Sequence, residues 1–176
     1  LTLMKTSADS LKKSADALND SSLWEKKKIK KKDEKTGEEI EVEDYDWDKI
    51  TKAVKSFVED YNDVVKEAGE SNTKDVLRNA SWMTGMTDKN SNMLAKIGIT
   101  IGKGNKLELD EDALKQADIS SLKTVFTGYN SFVSKISQKA TGISNAANRA
   151  SATYTNNGTY SKTDSSLTSS KIDKEV

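Results

Sequence analysis

Residues 119–154 read ISSLKTVFTGYNSFVSKISQKATGISNAANRASATY. Apolar or small residues recur there as Ile119, Leu122, Phe126, Tyr129, Val133, Ile136, Ala140, Ile143, Ala147, Ala150 and Tyr154. Their spacing alternates three and four, the 3.5-residue repeat of a coiled-coil seam. The spacing predicts one long helix over 119–154, about 54 Å of rod at about 1.5 Å per residue. A helix with one apolar stripe needs partners along its length. The rest of the chain reads as their supply, within a mainly α fold: a long, coiled-coil-like antiparallel helix bundle over 1–154 carrying two small β-hairpins.

Two other stretches carry the same period. Leu1, Met4, Ala8, Leu11, Ala15 and Leu18 predict a first helix ending near Asn19–Ser22. Ile50, Val54, Phe57, Tyr61, Val64 and Ala68 predict a second, capped by Asp46 or Asp48 and stopped by Gly69. A third begins after Ser71-Asn72-Thr73 with Val76, Ala80 and Met83 on its seam and Leu77 beside them. A break is expected between Gly85 and Asn90, and Trp82 is read as core.

Residues 24–47 abandon the helical period. A basic run, Lys26 to Lys32, faces an acidic run, Glu38 to Asp48, across the turn signal Thr36-Gly37. A charged hairpin insert over 24–47 follows, pairing Lys35 with Glu38, Lys32 with Glu41 and Lys30 with Glu43. Its Ile29, Ile40 and Val42 share one face, placed to lie against the helices. A second hairpin is expected over 99–109, where Ile99-Thr100-Ile101 and Lys106-Leu107-Glu108-Leu109 flank a glycine-rich turn. Asp110-Glu111-Asp112 reads as the start of a helix, because carboxylates there cap the free amides and suit the helix dipole. As a metal site the cluster lacks the further oxygen ligands calcium requires. Gly128 and Gly142 mark a bend or a tight helix crossing. From Thr155 to Val176 the chain is Ser, Thr, Asn, Lys and Asp with almost nothing apolar, and reads as a flexible tail.

Composition narrows the function. Hydrophobic residues are 34% and charged residues 32% of the 176, which favours a thin core between long helices. Lys plus Arg balance Asp plus Glu at 28 each, against a nucleic-acid binder driven by counterion release. No apolar run approaches the roughly 20 residues of a membrane span, so no membrane insertion is expected. Cysteine, histidine and proline are all absent. Disulfides, zinc thiolates and thiol nucleophiles are excluded, and the commonest general base is missing. No enzyme, cofactor or metal is expected. The chain opens at Leu1 rather than methionine and reads as a fragment of a longer protein or as a recombinant piece.

Val54-Lys55-Ser56-Phe57-Val58-Glu59-Asp60-Tyr61-Asn62-Asp63-Val64-Val65 resembles a helix of the flagellar filament cap family, hook-associated protein 2. So do Leu94-Ala95-Lys96-Ile97-Gly98-Ile99-Thr100 and Gly104-Asn105-Lys106-Leu107-Glu108-Leu109-Asp110, in the same order and at comparable spacing. Phe57, Tyr61, Asn62, Gly98, Leu107, Leu109 and Asp110 carry the match. The resemblance implies a secreted, non-catalytic assembly protein of the bacterial flagellum or cell surface, associating with itself and with flagellin-type or other axial proteins. Its helix–helix contacts would fall on the seam Leu122, Phe126, Tyr129, Val133, Ile136, Ala140, Ile143, Ala147 and Ala150. If the long helix serves assembly, its distal half should extend beyond the partners this chain supplies, and Ile143→Asp should weaken association more than folding. The competing reading is an extracellular helical binding module whose charged hairpin contacts a partner.

Overall fold

A computed structural model describes residues 2–157. The chain is mainly helical with two small antiparallel hairpins. In order come α1 (Thr2–Leu18), a 3₁₀ turn (Ser21–Trp24), β1 (Lys27–Lys32), β2 (Glu39–Asp44), α2 (Trp47–Gly69), α3 (Lys74–Lys89) and α4 (Ser91–Ala95). Then follow β3 (Ile99–Ile101), a second 3₁₀ turn (Lys103–Asn105), β4 (Leu107–Leu109), α5 (Glu111–Gln116), α6 (Ile119–Phe126) and α7 (Phe132–Asn157).

The three-four stripes become the core. Met4, Ala8, Leu11, Ala15 and Leu18 of α1 are buried, as are Ile50, Val54, Phe57, Tyr61, Val64 and Ala68 of α2. α1 packs on both α2 and α7, and α3 closes over the other side of α7. Burial of each large apolar side chain stabilises by about 1.5–3 kcal/mol, so these stripes, more than helix propensity, hold the helices in place. Asp46 is the α2 cap: its carboxylate accepts from the Lys49 N–H at 3.1 Å.

The single helix expected over 119–154 is two helices. α6 stops at Phe126, the chain extends through Thr127, and Gly128 takes φ +102°, where an L side chain is strained. α7 restarts with the Ser131 hydroxyl accepting from the Ser134 N–H at 3.2 Å. The break is fastened from a distance. Asn19 Oδ1 accepts from the Gly128 N–H (2.9 Å) and its Nδ2 donates to the Gly128 carbonyl (3.2 Å). Beside it the buried Trp24 indole stacks on Phe126 at 5.6 Å and donates to the Leu18 carbonyl at 2.7 Å. Gly142 marks a close crossing instead: a Cβ there would lie 2.5 Å from Asn79 Oδ1 of α3. The helix also runs three residues past Tyr154, to Asn157. The remainder of the expected tail lies outside the described residues.

Other expectations shift in detail. The first hairpin pairs Lys32 with Glu39, Lys30 with Glu41 and Lys28 with Glu43, two residues away from the expected register. The reason is a wider loop: the Asp33 N–H donates to the Glu38 carbonyl and the Gly37 N–H to the Asp33 carbonyl, each at 2.7 Å, with Gly37 at φ +74°. A slip of two preserves the faces, so Ile29, Ile40 and Val42 still share one. That face stays outside the buried core, and Ile40 is 39% exposed. α3 passes through Gly85 and breaks only at Asn90. Leu77 and Trp82 face outward, Trp82 being 52% exposed, because Val76, Ala80, Met83 and Thr87 already occupy the buried face.

Candidate assembly surface

The predicted seam divides three ways. Leu122, Phe126, Val133, Ile136, Ala140, Ile143 and Ala147 are fully buried within this chain. Ala150 is half-buried. Tyr129 is 83% exposed in the loop between α6 and α7, and Phe132 is buried three residues later. The distal half of α7 therefore does not await an outside partner along this stripe. α1 and α3 cover it, which corrects the expectation that Ile143 lies beyond internal cover.

Polar contacts reinforce the α1–α7 packing. The Ser144 hydroxyl donates to Asp9 at 2.6 Å and the Ser137 hydroxyl to Asp16 at 2.7 Å. Lys5 and Lys12 each bridge the same carboxylate from one turn earlier, at 2.7 and 2.6 Å. Hydrogen bonds from Lys5 and then Ser144 hold Asp9 below its ordinary value. For Asp16 burial is the largest influence and pushes upward, but Lys12 and Ser137 together outweigh it and the group ends low. Asp60 on α2 goes the other way, raised chiefly by burial.

Five of the seven motif residues, Asn62, Gly98, Leu107, Leu109 and Asp110, meet where α2 faces the second hairpin, while Phe57 and Tyr61 face other helices. Asn62 Nδ2 donates to the Leu107 carbonyl at 2.9 Å while its Oδ1 accepts from the Leu107 N–H at 2.7 Å. This side chain so completes the ladder of β4 that a neighbouring strand would otherwise serve. Leu107 is buried and Leu109 packs on the core. Gly98 takes φ +90° and accepts the Asp110 N–H at 2.8 Å; a Cβ at 98 would lie 2.7 Å from the Asp110 carbonyl oxygen. The Asp110 carboxylate then caps α5, accepting from the Ala113 N–H at 3.1 Å. Phe57 meets Phe132 edge-on at 6.2 Å, and Tyr61 donates to the buried Thr87 hydroxyl at 2.8 Å. Burial pushes the Tyr61 phenol up to about 12.

A family model described as the flagellar hook-associated protein 2 C-terminus matches residues 68–175. The chain belongs to that family. Neither the curated proteins nor the solved structures include a match. Gly98, Leu107, Leu109 and Asp110 fall inside the matched span of the hook-associated protein 2 family, whereas Phe57, Tyr61 and Asn62 precede it. The structure joins the two groups through the Asn62–Leu107 bonds. That family is structural rather than enzymatic. Among the described residues no cluster of acidic side chains is arranged to hold a metal, and no helix is long and apolar enough to cross a membrane. Sequence reasoning missed Asn19 and Ser131. The turn-forming run Thr127-Gly128-Tyr129-Asn130-Ser131 was the available signal for both the break and its cap.

Proposed function

We propose that this chain is a non-catalytic module of the bacterial flagellum, exported from the cell and acting in a filament-cap type of assembly through helix–helix self-association. Its partners on this reading are further copies and flagellin-type axial proteins. Membership of the hook-associated protein 2 family over residues 68–175 carries the proposal. The helical framework supports it. The contacts Asp9–Ser144 and Asp16–Ser137 step seven residues along each helix in opposite directions, as an antiparallel coiled-coil-like pair does. The same order brings the start of α1 alongside the residues just after Ala150, while α7 continues to Asn157. On this reading copies join through the end of α7 rather than through the buried stripe.

A second reading has one observation of its own. The hairpin face of Ile29, Ile40 and Val42 is left outside the core, which suits a binding module that contacts its partner through β1 and β2. Fractionating the native bacterium, with and without its flagellar export apparatus, tests the leading reading. The chain is expected outside the cell only when the apparatus is intact. Retention inside the cell in both strains would contradict it.

A further inference from the structure

Trp24 is buried, yet Trp82 stands on the outer side of α3 with half its surface in solvent. An exposed indole on a helix whose core face is already filled contributes little to folding, so its surroundings decide what it does. It forms one wall of a hollow of about 710 Å³ between α3 and α7, lined also by Gly85, Met86, Lys89, Lys135 and Lys139. Lys139 Nζ lies 5.1 Å from the Trp82 ring centroid, which steadies the ring and puts positive charge over one face. One turn along, nothing lies within 4 Å of where a Cβ on Gly85 would sit, so the backbone beside the ring is open.

A second hollow of about 450 Å³ adjoins the first, sharing Lys89 and Asn90 and adding Met93 and Lys96. Together they form a trough with Trp82, Met86 and Met93 as its apolar contacts and four lysines along it. No carboxylate lines either hollow. Among the described residues none of these lysines has an ion-pair partner. In a chain whose charges balance overall, this is a local cationic excess beside apolar surface.

We propose that this trough docks an acidic peptide segment of a partner protein, one that sets an apolar side chain against Trp82 and flanks it with carboxylates toward Lys89, Lys96, Lys135 and Lys139. Charge complementarity selects the sign of the partner, and the adaptable methionines suit an apolar anchor. A nucleic acid or sulfated glycan fits less well, because a single aromatic is no stacking platform and no arginine lines the trough. The proposal goes beyond the assembly reading and does not need it.

The test selects dodecapeptides from a random displayed library on the immobilised full chain, then measures the enriched peptides by fluorescence anisotropy. Enrichment of an apolar residue flanked by Asp or Glu is expected. Affinity should drop at least tenfold in Trp82→Ala and in the double variant Lys135→Glu/Lys139→Glu, and stay unchanged in Leu77→Ala, with all melting temperatures near wild type. Sedimentation of Trp82→Ala should match wild type, which separates this result from any failure of self-association. The proposal is overturned if no acidic peptide is enriched, if the enriched peptides bind Trp82→Ala equally well, or if only a heparin oligosaccharide binds in a Trp82-dependent way.

Discussion

Two asparagines do similar work at separate joints of the fold. Asn19 and Asn62 each give and accept one hydrogen bond with the backbone of a single distant residue, Gly128 and Leu107 respectively. Removing the Asn62 side chain strands two partly buried backbone groups of Leu107, so Asn62→Ala should cost about 2–4 kcal/mol, read as a lowered urea midpoint at unchanged slope. Tyr61 offers a second residue-scale test. Its folded pKa is raised above the ordinary 10.0 to about 12, chiefly by burial, so the neutral phenol is the form the fold prefers. The stability it contributes is fully present below pH 10 and is lost as pH rises through about 12. Wild type should lose up to about 3 kcal/mol across that window, whereas Tyr61→Phe should start less stable and fall less steeply. Equal slopes in chemical-denaturation series from pH 9 to pH 12 would show that the phenol is not the group responsible.

At the scale of elements, the helices were legible because burial writes a period into the sequence. Every seam residue of α2 from Ile50 to Ala68 is buried as its spacing requires. The same period hid the break after Phe126, since the three-four spacing happens to continue through Tyr129 although that residue is exposed in a loop. Hairpin register was half legible. Period-two alternation fixed the faces of β1 and β2, but the turn signal was centred too late: the Asp33 carboxylate accepts from the Lys35 N–H and the Thr36 hydroxyl from the Glu38 N–H, so the loop already begins at Asp33. Trp82 was misread because a large apolar residue near a seam looks the same in sequence whether it points in or out. The Asn62–Leu107 contact joins residues 45 apart and left no local signal. Since the β1–β2 face is not part of the core, replacing Glu25–Asp44 by a short glycine linker, which keeps Tyr45 and the Asp46 cap, should leave helical circular dichroism and cooperative melting nearly intact. A broad, non-cooperative melt would mean that the hairpin helps hold the helices together.

For the whole molecule, burial assigns the long stripe to folding. Ile143 and Phe126 are both inaccessible, so Ile143→Asp and Phe126→Asp should each cost about 4–5 kcal/mol, a drop of roughly 8–20 °C in melting temperature. An Ile143→Asp chain that folds normally but fails to associate would return the stripe to the assembly surface. The assembly reading proposed above, that copies of this chain join one another, rests on family membership. Sedimentation velocity of the intact chain over a wide concentration range tests that claim most directly. The mass is expected to grow with concentration above the 19.4 kDa of one chain. A single species that stays at 19.4 kDa at the highest concentration reached would contradict it.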